Sequence, residues 1–320
     1  MSFRIGLVGL CTSHPDGWIP IIRANAAAHV FDAEITAAWD SGETRPGGYA
    51  REYCAKMNIP HAVEDLRDMV PLVDGVIVHT TNWDRHMEQA KMFVEAGKSV
   101  YIDKPIAGNL RDANLYLDWI RQGYRVTGGS VLRYFQPALD FLAVPESERG
   151  KVYTAYTAVG VDDFNYGIHG YAILASIMGP GIVSAQYLGS SNQKQIMLEW
   201  KDGRIGLLTA GKSCWLPFAM TVVTDKKIVQ LKAEELVYHA MIRQVMPYFT
   251  GETDTPPVPS AELIEPELAA MAARISWLNH GQKVFLTDLR EDDPGFDGTQ
   301  FAREYRRARL AAAKKIKQLQ

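Results

Sequence analysis

The chain has 320 residues, 47% hydrophobic and 22% charged, with 34 Lys and Arg against 37 Asp and Glu for a formal net charge of −3. That length is more than one hydrophobic core comfortably serves, and the composition is that of an ordinary globular protein, so two domains are expected. The near-balanced charge argues against nucleic acid or an anionic membrane as the main partner, and no run of roughly 18 apolar residues offers a membrane span.

The first third alternates strand and helix signals. A β-rich run over residues 4–10 leads to a helix over 16–28 and a second strand over 34–39, ending at Asp40. A helix over Tyr49–Met57, a short strand over 61–63 and a small helix over 66–70 follow. Residues 75–79 read as a buried strand, 85–96 as a helix stopped by Gly97, and 99–102 as another strand. A helix over 110–122 and a strand over 125–128 complete the set. This alternation predicts a doubly wound parallel sheet, a Rossmann-type dinucleotide-binding domain over residues 1–126.

Beyond it the pattern changes. Strand-like segments over 152–161, 185–188, 196–200, 205–210, 220–224 and 227–230 follow one another closely, which suggests an antiparallel meander. Helices over 170–178 and 262–279 would cover it. Residues 127–320 are thus expected to form an α+β domain for substrate binding and oligomerisation. Its largely antiparallel open sheet would bury one face against a second subunit, giving a homodimer or homotetramer. The one basic stretch, Arg303-Arg306-Arg307-Arg309-Lys314-Lys315-Lys317, is interleaved with Ala and Leu, as on a solvated or oligomer-packing helix face. Cys11, Cys54 and Cys214 show no metal-ligand spacing, which predicts free thiols in a reducing cytoplasm and no metal site. Met1 to Arg4 runs straight into a strand, so no signal peptide is expected.

Two segments carry chemistry. The first strand runs into Gly9-Leu10-Cys11-Thr12-Ser13-His14, where a dinucleotide fold places G-x-G-x-x-G to face a diphosphate with backbone N–H groups. Gly9 stands in place, while Cys11 and His14 occupy the second and third glycine positions. Thr12 and Ser13 offer hydroxyls either to phosphate oxygens or to the helix N-terminus. Asp40, ending the second strand, suits the ribose hydroxyls of NAD, and Arg45 nearby leaves room for NADP. Farther on, a buried strand ends in Asp103-Lys104-Pro105. A lysine delivered at the carboxyl end of a strand is either half of a local ion pair or a group aimed into the ligand crevice.

The order Gly75-Val76-Ile77-Val78-His79-Thr80-Thr81-Asn82, His86, Glu95-Ala96-Gly97-Lys98, Asp103-Lys104-Pro105 resembles the Gfo/Idh/MocA oxidoreductase family. Arg133, the segment Asn165-Tyr166-Gly167-Ile168-His169 and the stretch from Ser276 to Leu286 extend the likeness along the chain. The resemblance implies hydride transfer between NAD, or NADP, and a secondary alcohol of a sugar, polyol or cyclitol. In that reading Lys104 hydrogen-bonds the reacting oxygen and His169 is the base. Gly9, Cys11, Thr12, Ser13, His14, Asp40, Thr80, Thr81, Asn82, His86, Asp103 and Lys104 line the cofactor. Arg133, Asp163, Asn165, Tyr166 and Trp83 grip the carbohydrate-like substrate.

Four departures stand out: the altered glycines; Thr81 for the family's proline, with a longer stretch to His86; Asp103 for glutamate; and Asn165 for the aspartate that would orient His169. Asp162 or Asp163 is then expected to supply the missing carboxylate. The departures keep two alternatives open. One is a transient-redox lyase, epimerase or glycoside-cleaving enzyme that retains its NAD; the other is a non-catalytic sensor of small ligands on the same fold.

Overall fold

A computed structural model describes residues 1–190, 192–233 and 237–319; the side chains of Lys314, Lys315 and Lys317 lie outside the described residues. The first six strands are β1 (Phe3–Val8), β2 (Ala33–Trp39), β3 (His61–Ala62), β4 (Gly75–Val78), β5 (Ser99–Asp103) and β6 (Val126–Gly129). Between them run α1 (His14–Ala27), α2 (Tyr49–Met57), α3 (His86–Glu95) and α4 (Leu110–Arg121). The sheet order is β3-β2-β1-β4-β5-β6, parallel at every pairing, so β1 and β4 flank the point where strand order reverses. All residues of β4, β5 and β6 are buried, as strands covered on both faces must be. The expected boundary after residue 126 falls inside β6, whose four residues belong to this sheet.

The remaining elements are α5 (Gln136–Ala143), α6 (Glu146–Arg149), β7 (Val152–Val159), α7 (Gly167–Met178), β8 (Ile182–Ser190), β9 (Lys194–Trp200), β10 (Ile205–Ala210), β11 (Ala219–Thr224), β12 (Ile228–Lys232), α8 (Val237–Phe249), α9 (Glu265–Leu278), β13 (Val284–Phe285) and α10 (Gly298–Leu319). The second sheet runs β12-β11-β7-β10-β9-β8-β13. Only β8–β9–β10 is a meander, and the central pair, β7 with β10, is parallel. The sheet is largely antiparallel, as expected, but it is not one continuous meander. The cause is α7, which separates β7 from the meander in sequence and packs against both β7 and β10.

Every residue of α7 is buried, so this helix is the centre of the second domain's core. A side chain at Gly170 would meet Leu208 at 2.4 Å, so the helix lies directly on the sheet only because that position is bare. Burial alternates along β9, β10 and β11, leaving the opposite face of the sheet open.

Two helices from the second half of the chain return to the first domain. Met241, Ile242, Val245, Met246 and Phe249 of α8 pack on Trp18, Ile22, Ile77 and Tyr101, roofing one face of the parallel sheet. Glu267 of α9 reaches the turn after β5, where its Oε1 accepts a hydrogen bond of 3.1 Å from the Ile106 N–H. Its other oxygen is buried without a partner. Burial pushes this carboxyl up to about 8, against an ordinary value of 4.5.

A carboxyl that prefers to stay protonated when folded holds its full contribution only below the unfolded-state value. That contribution is lost as pH rises from 4.5 through about 8. Glu267→Gln keeps the acceptor and removes the titration. Melting temperatures measured from pH 5 to 9 should fall less in this variant than in the parent; parallel curves would contradict the assignment.

Candidate active site

At the carboxyl edge of the parallel sheet, β1 ends in a turn that needs Gly9. Its φ is +90°, and a side chain there would come within 2.7 Å of the Thr80 amide nitrogen on the neighbouring strand. Asp40 secures the turn: its two oxygens accept from Leu10 N at 2.8 Å and Gly42 N at 2.9 Å. Cys11 is tolerated at the second glycine position because its side chain turns inward, where the sulfur accepts from Thr81 N at 3.1 Å. Burial pushes its thiol up, so it is a packed group and not a nucleophile.

His14, at the third glycine position, is the first residue of α1. Its Nδ1 meets the carboxylate of Asp103 in a very short contact, and its ring lies against Trp18 and Tyr238. The Thr12 hydroxyl accepts from His14 N at 3.2 Å, whereas Ser13 makes no side-chain cap. Among the described residues the N–H groups of Thr12 and Ser13 find no acceptor. A bare, positive-φ glycine followed by free amides at a helix start suits the diphosphate of a dinucleotide, so the residues present fit that cofactor.

The turn after β4 is braced from within. Thr80 donates its hydroxyl to Gln89 Oε1 at 2.6 Å, and its carbonyl lies 2.7 Å from His86 Nε2. The other ring nitrogen of His86 is 3.4 Å from the Ile106 carbonyl. Burial pushes the pKa of His86 down, so its neutral ring donates to one of these two carbonyls while lying between the two loops. The Thr81 hydroxyl is buried with no partner. Asn82 donates to Glu43 Oε1 at 2.8 Å and to Thr299 Oγ1 of α10 at 3.2 Å.

Lys104 and His169, far apart in sequence, arrive from different domains. The Lys104 ammonium donates to the Asn165 carbonyl at 2.9 Å and to its side-chain oxygen at 3.0 Å, and sits 5.5 Å from the Tyr166 ring centroid. Burial lowers its pKa, while Asp103 and Asp162 oppose the shift. His169, in the first turn of α7, lies between Tyr166 and Phe218, with ring centroids 5.7 and 5.1 Å away. Burial pushes its imidazole well below the ordinary value; the nearby Lys104 cation pushes in the same direction. For Asp103 burial pushes upward, but the His14 imidazole and Lys104 outweigh it and hold the carboxyl low.

The partner of His169 is neither acid expected. Its Nδ1 lies 2.7 Å from Ser130 Oγ. Asp162 instead accepts from Phe164 N and Tyr166 N, shaping the loop that carries Asn165. Asp163 pairs with Lys194 at 2.7 Å. Ser130 was not singled out in the sequence, although it directly follows Gly129 at the carboxyl end of β6, an edge where ligands sit. Tyr238, packed on His14 from α8, was missed with its helix.

Of the remaining candidates, Tyr166 lies against both Lys104 and His169. Trp83 is only 2% exposed, donates to the Phe296 carbonyl at 2.8 Å and is closed in by Phe164 and Phe301, so it shows no face to a substrate. Arg133 is buried, 3.8 Å from Glu262, with its Nε unpartnered. Among the described residues no group of three or more His, Cys, Asp or Glu is arranged to hold a metal ion, and no helix is long and apolar enough to cross a membrane.

Residues 3–126 match the family described as "Oxidoreductase family, NAD-binding Rossmann fold". Over 97 residues the chain is 34% identical to a scyllo-inositol 2-dehydrogenase (NADP(+)) of Bacillus subtilis, spanning 30% of this chain and 28% of that protein. Over 110 residues it is 34% identical to a 1,5-anhydro-D-fructose reductase of Ensifer adhaerens, spanning 34% and 30%. The matched stretch is thus less than a third of either relative's length. In fold it is similar to a scyllo-inositol dehydrogenase of Lactobacillus casei solved with NAD(H) and scyllo-inositol, at a TM-score of 0.68 and 14% identity, covering 90% of this chain and 100% of that one. Over residues 3–126 this chain thus matches the Gfo/Idh/MocA oxidoreductase family.

Proposed function

We propose that the protein is an NAD(P)-dependent oxidoreductase acting on a secondary alcohol of a polyol, cyclitol or related sugar. The observation that carries this reading is the meeting of Lys104 and His169, both buried, against the same Tyr166 ring, with a turn that fits a dinucleotide diphosphate at the same edge of the sheet. The names of the relatives, two of them inositol dehydrogenases, support the substrate class. The nicotinamide, when bound, takes up or returns the hydride.

The protein's own groups handle the oxygen and its proton. Lys104, already a donor to two oxygens of Asn165, re-aims a hydrogen bond to the substrate oxygen and stabilises the negative charge that develops there. Ser130 Oγ accepts from the Nδ1–H of His169, which leaves the lone pair on Nε2 to take the hydroxyl proton. Asn165 and Tyr166 lie beside Lys104, and their positions on the loop before α7 make that loop the determinant of substrate choice.

Lys104→Met should lower kcat by about a hundredfold or more while the fold is retained, since a lost oxyanion donor commonly costs that much. His169→Asn should do likewise. Both are read from NADH formation with inositols and sugar alcohols. Because His169 is held well below 6.5 and must be neutral, kcat/KM for oxidation should stay level down through pH 6.5 and fall only in stronger acid. The alkaline limb, set by loss of the Lys104 proton, should lie below 10.5. An acid limb at or above pH 6.5 would refute His169 as the base.

Ser130→Ala should lower kcat about tenfold with little change in KM, since the imidazole loses the group that fixes its tautomer. A change in KM alone would show that Ser130 binds substrate instead. The open face of the second sheet displays Tyr156 and Leu207 side by side, 44% and 37% exposed, which supports a dimer or tetramer through that face. Light scattering of the purified protein should give a multiple of the chain mass; a monomer mass would remove this part of the reading.

A further inference from the structure

Helix α10 lies across the crevice that the dinucleotide fold reserves for its cofactor. Near its start, Thr299 bonds Asn82 and Asp84 at the carboxyl end of β4. About two turns further along the crevice, Arg306 donates to the Glu43 carbonyl in the loop after β2 at 3.2 Å. Arg309 then donates to the Cys11 carbonyl, in the turn after β1, at 2.7 Å. The helix therefore runs from β4 to the glycine turn along the carboxyl edge of the sheet.

Arg309 arrives there with charge and donors to spare. Its described contacts are the Cys11 carbonyl and the Tyr305 ring, with no carboxylate among them. Arg45 approaches from the other side, bonded to the adjacent Leu10 carbonyl at 3.4 Å and stacked on Tyr49, again with no described carboxylate. Two guanidinium groups thus converge on consecutive carbonyls of one turn. Beyond the free Thr12 and Ser13 amides the same turn offers an anion few donors, because Pro15 in the first turn of α1 carries no N–H and the His14 N–H is taken by Thr12. A fork of fixed cationic donors is what would replace missing amides around a phosphate.

We infer that Arg309 of α10, with Arg45 opposite, holds phosphate groups of the dinucleotide, so that the C-terminal helix is part of the cofactor site. This rests on the oxidoreductase reading and extends it to a segment outside the nucleotide-binding domain. The ligand is a phosphate of the cofactor, either the diphosphate common to NADH and NADPH or the 2′-phosphate of NADPH alone.

The test is titration of the parent, Arg309→Gln and Arg307→Gln with NADH and NADPH, followed by tryptophan fluorescence and calorimetry. Arg307 is exposed on the same helix and serves as the control. Arg309→Gln should weaken binding about tenfold, the usual loss for a charged hydrogen bond. Arg307→Gln should leave it unchanged, and added salt should shrink the difference. An equal loss for both nucleotides supports contact with the diphosphate, and a loss confined to NADPH supports contact with the 2′-phosphate. A chain ended after Tyr305 should bind at least as weakly as Arg309→Gln. Unchanged affinity in Arg309→Gln overturns the inference, and so does tighter binding, which would make α10 a competitor of the cofactor. A parent protein that binds neither nucleotide, oxidised or reduced, would instead overturn the oxidoreductase reading.

Discussion

The contact on which the site depends is the one between Asp103 and His14. A carboxylate as buried as Asp103 would cost several kcal/mol if left unpaired, and the fold keeps it by surrounding it with donors. His14 meets one oxygen, and the Lys104 N–H donates to the other at 2.8 Å. The pair joins the start of α1 to the end of β5, and so fixes the distance between the glycine turn and Lys104. It also explains the eroded glycine motif. The third glycine ordinarily lets helix and strand pack closely; here an imidazole fills that space and joins the two elements through its contact with the Asp103 carboxylate instead.

The pair in turn depends on the second half of the chain. His14 packs against Tyr238, and Trp18 beside it is roofed by α8. Glu267 of α9 holds the turn that follows Lys104, and the loop before α7 supplies both oxygens that the lysine binds. Neither domain builds the site alone. The parallel sheet aims Lys104, and the second domain determines what it meets.

What the sequence showed and what it hid follow from the range of the interactions. Strands such as β4 and β5 are continuous apolar runs bounded by turns, and helix α2 has local start and stop signals, so each could be read directly. Lys104 could be placed because a strand end dictates its direction. Helix α8 has apolar residues at helical spacing, but Pro247 in its last turn and the crowded strand signals before it obscured the pattern. The parallel β7–β10 pairing was hidden because nothing local tells a strand which neighbour it will have. For the same reason Ser130 was invisible as the partner of His169: the two meet only when β6 and α7 are brought together.

The exchange of aspartate for Asn165 looks at first like a loss, but the geometry gives it a consistent meaning. A carboxylate at that position would raise the pKa of His169 and would also pair with the Lys104 cation. Asn165 gives the lysine two neutral acceptors, so its charge stays uncompensated there and available to an oxygen that becomes negative. Ser130 orients the imidazole without charge, so the ring stays neutral beside a cation. The arrangement favours a neutral imidazole beside Lys104, the state that the proposed proton transfer requires. In the proposed reaction, a proton taken by that imidazole would not rest there and would pass on before the next turnover.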